Sequence, residues 1–265
     1  KESYDQKPDL VDQTSSQLAS TVQRMLAPEK GVQQPLKPAL EEAMVHLEAA
    51  YDKANGGVTG APKFPSTLPI RLLLRYYHKT GNETMLAMAN HTLKKMATGG
   101  LYDQVGGGFH RYATDNAWLL PHFEKMLYNQ AQLAQIYTLA WQLSGDPEYR
   151  RIAIETLDYV LREMRARSGC FYSATDADSE VSEGKFFVWE DQQISDLLGA
   201  EQAALVKHVY GISFKGNFEG SNILYLPRSL ADVADGLKLS REELLSRLAP
   251  LKSKLLEERN RRVAP

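Results

Sequence analysis

The sequence predicts a mainly all-α fold of αα-hairpins with short β-hairpin inserts. Apolar residues recur at steps of three and four over most of the length. Strand-like runs are few and short. Helical stretches are joined alternately by short turns and by long glycine-rich polar loops, as in stacked helical hairpins.

In chain order, Leu18, Val22 and Met25 form a first apolar stripe, and Leu36, Leu40, Met44, Leu47 and Tyr51 form a second. Thr67 with Pro69 can open a helix that runs through the leucines at 72–74 and stops at Gly81. Met85, Met88, Leu93 and Met96 lie along a helix ending at Gly99 and Gly100, a methionine stripe of the kind that fills cores. A long helix is expected from Pro121 to Leu143, with Pro121 in the first turn. Ser144-Gly145-Asp146-Pro147 reads as a stop, a cap and a first-position proline, opening a helix through Ile152, Leu157, Val160, Leu161 and Met164. Phe171-Tyr172 and Lys185–Trp189 flank a polar loop as in a small hairpin, and 222–226 reads as another strand. Ser240 and Glu243 have capping-box spacing and start a charged amphipathic helix.

The 265 residues are 43% hydrophobic and 24% charged, enough to bury a core. A net charge of -2 lacks the basic excess of a nucleic-acid binder, and the cluster at 259–262 reads as a solvated helix end. No apolar run approaches the ~20 residues that cross a bilayer, and the first residues carry no signal peptide. Cys170 is the single cysteine, so no internal disulfide can form, which fits a cytoplasmic setting. Lys1 at the start and the ending at Pro265 read as a piece of something longer.

Chemistry-bearing residues concentrate between Gly99 and Tyr137. The Gly106-Gly107-Gly108 run fits neither a dinucleotide fingerprint nor a P-loop. His110, Arg111, Asp115, His122 and Glu124 supply base, acid and cation close together, and paired histidines can move protons near neutrality. His122 is expected in the first turn of its helix, where the dipole would keep it neutral; the other reading is a packing role there, with His110 in a loop hydrogen bond. Lys125, Asn129 and Gln132 form a polar stripe, either solvated or lining a cavity. A second cluster holds Asp176, Asp178, Glu180, Glu183 and Lys185. It fails the EF-hand pattern, with Val181 and Phe187 at the sixth and twelfth positions, and serves as a carboxylate pair or as a solvated acidic hairpin. The aromatics around it, Phe171, Tyr172, Phe186, Phe187 and Trp189, suit sugar stacking or ordinary packing. Two weaker loops hold Asn217, Phe218, Glu219 and Asn222, and Asn55-Gly56-Gly57 with Lys63. No tight ligand motif calls for a metal, and no cofactor is expected.

GAPKFP, LYDQVGGGFHRYATDNAWLLPHFEKMLYNQAQLA, FYSATDADSEVSEGKFFVW and GNFEGSNIL, in this order, resemble the family of thioredoxin-domain proteins that includes the spermatogenesis-associated thioredoxin-like proteins of animals and bacterial relatives. The resemblance runs from about Gly56 onward. It implies a thioredoxin-like domain followed by an (α/α)6 toroid, similar to six-hairpin glycosidases and N-acylglucosamine 2-epimerases. No C-x-x-C occurs, so residues 1–35 are expected to link from an absent thioredoxin-like domain, and 36–265 to form the first part of a toroid incomplete at its C-terminus. Partners are then those missing parts and a carbohydrate or small-molecule ligand. The expected activity is that of a sugar epimerase or isomerase. His110 and His122 move the proton, with Asp115, Glu124, Asp176 and Asp178 as further catalytic candidates. Lys63, Arg111, Tyr102, Phe109, Tyr172, Lys185, Trp189, Asn129 and Glu219 are the substrate-binding candidates. Two alternatives remain open: glycoside hydrolysis, with two of Asp115, Glu124, Asp176 and Asp178 as carboxyls roughly 5–9.5 Å apart, and a non-catalytic toroid that binds a glycan or partner. All require the glycine-punctuated loops to converge.

Overall fold

The computed structural model describes residues 4, 6–26, 36–65 and 68–265, in two compact units, Lys1–Val45 and His46–Pro265. In the first unit, helix α1 (Pro8–Leu26) buries no residue, and its apolar stripe of Leu18, Val22 and Met25 is exposed. Helix α2 spans Leu36–Ala49.

The second unit is built of helical hairpins with very short connections. Helices α3 (Ile70–Thr80) and α4 (Glu83–Thr98) pack Ile70, Leu73 and Leu74 with Met85, Met88, Leu93 and Met96. The expected start at Thr67 lies outside the described residues. Helices α5 (Leu127–Ser144) and α6 (Pro147–Tyr159) turn on Gly145, whose φ of +71° suits a residue without Cβ. Asp146 then caps α6 through Glu148 N–H, with Pro147 at the first position, as the sequence predicts. A π-helical turn, Val160–Met164, extends α6. The Tyr137 hydroxyl donates to the Leu93 carbonyl at 2.7 Å, tying α5 to α4.

Helices α7 (Asp191–Leu198), α8 (Ala200–Tyr210), α9 (Leu230–Gly236) and α10 (Arg241–Arg259) share a core around Ile194, Val206, Leu230, Leu244, Leu248 and Leu255. Ser240 and Glu243 close the predicted capping box at the start of α10. The mainly helical class with small β inserts is therefore what the chain adopts.

Three expectations are corrected. The helix expected from Pro121 starts at Leu127. Residues 121–126 are extended: β1 (Tyr112–Ala113) pairs with β2 (Pro121–His122), and β3 (Lys125–Met126) pairs with β4 (Ala174–Thr175). Asp115 closes the first of these hairpins by accepting from the backbone N–H groups of Ala117, Leu119 and Leu120. Pro121 thus fills an edge-strand position, which suits proline as well as a helix start does. Second, Phe171-Tyr172 does not pair with 185–189. Phe171 bridges Arg165, Trp189 bridges Asn222, and the hairpin is β5 (Asp178–Ser179) with β6 (Ser182–Glu183). The Trp189 side chain is buried in the α7–α10 core, while its backbone pairs with Asn222. Of the strand expected at 222–226, Asn222 alone makes a bridge.

The loop at 103–108 folds against α6. Gly107 has φ +76°, and a Cβ there would lie 2.5 Å from the Glu155 carbonyl oxygen. Gly107→Ala should therefore cost roughly 2–4 kcal/mol, from left-handed strain plus overpacking against backbone that cannot yield. Urea denaturation should show it as a lower midpoint with an unchanged slope.

Candidate functional site

Phe123 is the point where the loops meet. Its ring is buried with Ala177 and Ile223, stacks on Phe187 at 5.7 Å and meets Phe218 edge-on at 5.6 Å. Gly184 lies so close that a Cβ would stand 2.4 Å from the ring. The segments around 99–126, 171–190 and 217–223 thereby gather on one side chain, with His110 on its inner side and His122 and Glu124 as its chain neighbours.

The inner layer is a buried ionic cluster. Asp103 meets Lys125 Nζ at 2.7 Å and Arg259 Nη1 at 2.9 Å, and also accepts from the N–H groups of Val105 and Gly106. Lys125 donates to the Gly107 carbonyl at 2.9 Å and lies 4.2 Å over the Tyr159 ring. Burial would raise the Asp103 pKa, but Arg259 and then Lys125 overcome it and hold the carboxyl well below its usual range. Burial lowers Lys125 to about 8, against the pull of Asp103. For His110, burial and then Lys125 push the pKa down to about 3. Its Nδ1 lies 2.9 Å from the Phe123 carbonyl, which can only accept, so Nδ1 carries the hydrogen. His110 is thus a neutral, buried ring, not half of a pair titrating near neutrality. A cavity of about 20 Å³ beside it, with Asp103, Phe123 and Phe187 in its walls, has room for one water.

This layer also corrects the polar stripe. With residue 125 in a strand, Lys125 and Asn129 are buried while Gln132 is exposed. Arg259, read as part of a solvated helix end, is 3% exposed. Neither Asp103 nor Arg259 stood out as a site residue, since nothing local links positions so far apart.

The outer layer centres on His122. Its Nδ1 is 2.7 Å from Glu183 Oε1, and its Nε2 is 3.2 Å from Glu124 Oε2. The same Glu124 oxygen is held by Arg111 Nη1 at 2.8 Å. The Arg111 pKa is raised, first by this bond and then by Tyr128. The imidazole stacks on Tyr112 at 4.9 Å, and Tyr112 rests on Phe64 at 4.6 Å. The side chains of Arg111, His122, Glu124 and Glu183 are 24–47% exposed, so a solute can reach them. His122 sits in a strand, and the helix-dipole argument for its neutrality does not apply.

The other sequence-predicted residues divide by burial. Asp176 accepts from Ala177 N–H at 2.7 Å, and Asp178, Tyr172, Lys185 and Glu219 are exposed, with Lys185 paired to Glu180 at 2.8 Å. Asp115 is engaged by its own loop. Lys63 is buried on Asp52 at 2.6 Å and on the Gly56 carbonyl. Tyr102 donates to Glu155 at 2.6 Å, Phe109 packs between Tyr102 and Tyr137, and Trp189 lies under Arg262. Asn129 holds the carbonyls of His110 and Arg111. These buried side chains position the loops from within. Among the described residues no cluster has the makings of a metal site, and no helix is long and apolar enough to cross a membrane. A cavity of about 370 Å³ lies on the Gly106–Gly107 side with Arg162, Tyr210, Leu248 and Lys252, and none of the predicted site residues lines it.

Two carboxylates flanking one imidazole can pass a proton through the ring. The imidazole stands between the two carboxylates, in contact with both.

No protein-family model matches the chain. Among solved structures, it aligns with cellobiose 2-epimerase from Spirochaeta thermophila at 24% identity and a TM-score of 0.43, over 54% of this chain and 41% of that one. It also aligns with the glycoside hydrolase family 76 mannosidase Bt3792 from Bacteroides thetaiotaomicron at 19% identity and a TM-score of 0.45, over 64% and 47%. By sequence it is 45% identical over 195 residues to spermatogenesis-associated protein 20 of Mus musculus, covering 66% of this chain and 25% of that protein. With the Homo sapiens protein of the same name it is 41% identical over 249 residues, covering 83% and 32%. The chain thus spans between a quarter and a third of the length of these relatives, and it is similar to one stretch of spermatogenesis-associated protein 20.

Proposed function

We propose that the chain forms part of a carbohydrate-active (α/α) toroid in which His122 moves a proton on a sugar, as in an epimerase or isomerase. The whole protein would add the remaining hairpins and a thioredoxin-like domain. One observation carries the reading: a solvent-reachable imidazole has one nitrogen anchored on Glu183 and the other beside Glu124, itself held by Arg111. Such a group can take a proton from the carbon next to a carbonyl and return it on the same face to the neighbouring carbon, as an isomerase does; inversion requires the sugar to turn over before the proton returns. Tyr112 and Phe64 offer aromatic surface beside it, and Arg111 and Tyr128 offer donors for hydroxyl or carbonyl oxygens. His110, neutral and enclosed, serves as a support for the Phe123 backbone.

Incubation of the protein with a panel of aldoses, ketoses and disaccharides in D2O tests this. Deuterium should appear at the carbon adjacent to the carbonyl of a recovered sugar. New reducing ends without label would instead indicate hydrolysis, and an unlabelled, uncleaved panel would remove the proposal.

A further inference from the structure

We infer that the turn following α10 is a positioning device for His122, with Arg262 as its positioning residue; the inference rests on the proton-transfer reading above. Arg262 Nη1 donates to the carbonyls of Lys185 at 3.4 Å, Phe186 at 2.9 Å and Val188 at 2.7 Å. Its guanidinium lies 4.0 Å over the Trp189 ring, which is anchored in the α7–α10 core. One residue on, the Val263 carbonyl accepts from Ser179 Oγ at 2.6 Å. The same turn therefore grips the 179–188 segment at both ends. Between the two grips stands Glu183, which meets His122 Nδ1 at 2.7 Å and Phe123 N at 3.4 Å.

The segment needs such a hold. At the tip of the β5–β6 hairpin, Glu180 and Val181 have φ of +52° and +63°, a conformation that residues with a Cβ resist. Val181 is 99% exposed, so no burial compensates it. The two-residue strands supply little pairing, and the Lys185–Glu180 contact is a surface ion pair of small value. Backbone strain of this kind persists where its surroundings over-determine it. Three residues before Arg262, Arg259 holds Asp103, so one helix end fixes both the loop that carries His110 and the segment that carries Glu183.

The chemical consequence is the tautomer of His122. Both flanking carboxylates only accept, and Glu183 at 2.7 Å from Nδ1 is closer than Glu124 at 3.2 Å from Nε2, so Nδ1 bears the hydrogen while Glu183 is in place and Nε2 keeps its lone pair. Released from Glu183, a neutral imidazole favours the Nε2–H form.

Nitrogen-15 shifts of the His122 ring, read on the whole protein at a pH where the ring is neutral, test this directly. The parent should show mainly Nδ1–H, and Arg262→Gln should shift the majority to Nε2–H. Arg261→Gln, whose parent side chain pairs with Glu258 on the surface, should leave the populations unchanged. If Arg262→Gln does not fold, Ser179→Ala removes the other grip and should move the tautomer the same way. A folded Arg262→Gln or Ser179→Ala protein with parental tautomer populations overturns the inference, as does an Nε2–H parent. A tautomer that responds as expected beside an unlabelled sugar panel upholds the positioning role and removes the proton-transfer reading alone.

Discussion

Asp103→Asn should lower the stability of the protein by about 3–5 kcal/mol, the usual penalty for leaving a buried charge without its partner. Asp103 is the shared counter-ion of two cations, Lys125 at 0% and Arg259 at 3% side-chain exposure. Without its charge, Lys125 keeps the Gly107 carbonyl and aromatic faces, and Arg259 keeps a neutral amide oxygen and the rings of Phe186 and Phe187. Asparagine is nearly isosteric and can still accept from the N–H groups of Val105 and Gly106, so the loop turn is preserved and the loss reports the charge. Urea denaturation followed by circular dichroism measures it. A loss below about 1 kcal/mol would mean that water reaches the cations, against the burial described.

The same substitution should alter the acid limb of the stability curve. The folded pKa of Asp103 lies well below its ordinary value, so the unfolded chain binds the proton more readily. Its stabilisation is complete above an unfolded pKa near ~3.9 and fades as pH falls toward the folded value. The variant lacks that fading component. Glu155 keeps a similar one: burial raises its pKa, but Lys252 and Arg151 overcome this and bring it to about 2. Lys125 acts at the other end. Its folded pKa of about 8 is below an unfolded ~10.4, so its contribution to stability rises as pH climbs through that window.

Much of the helical scaffold was legible because its signals are local. Gly145, Asp146 and Pro147 encode a stop, a cap and a start within three positions, and Ser240 with Glu243 marks a helix start within four. Residues 121–126 were not legible for the converse reason. Their extended state depends on Lys125 pairing with Thr175, a partner fifty positions on, and no local spacing announces it. The polar stripe through Lys125, Asn129 and Gln132 was a product of imposing a helical period on a strand.

The site shows the same division. Arg111, His122 and Glu124 are close in sequence and remain together in space. Glu183, in the acidic cluster singled out from sequence, joins them through a hairpin whose turn has no glycine or asparagine to mark it. Lys63, expected to hold substrate oxygens, and Lys125, expected in a polar stripe, both have carboxylate partners inside, the usual condition for a buried lysine. The Asp103–Arg259 pair, 156 positions apart, becomes visible only once α10 returns to the glycine loop.

His122→Gln should reduce deuterium incorporation into the responsive sugar by about 10²–10⁴-fold, the range that a positioned general base supplies. Stability should stay within roughly 0.5 kcal/mol of the parent, as for most surface substitutions. Glutamine reaches about as far as histidine, and its amide can donate to Glu183, so the hairpin keeps its bond to the site; what it lacks is a nitrogen that accepts and releases a proton. Turnover and stability therefore separate if His122 is the proton carrier. They fall together if the ring serves as packing between Tyr112 and the acidic hairpin, because then losing the stack at 4.9 Å loosens both strands at once. Measuring the exchange rate and the thermal midpoint on the same preparation distinguishes the two, and preserved turnover in a stable variant would assign the chemistry to another group.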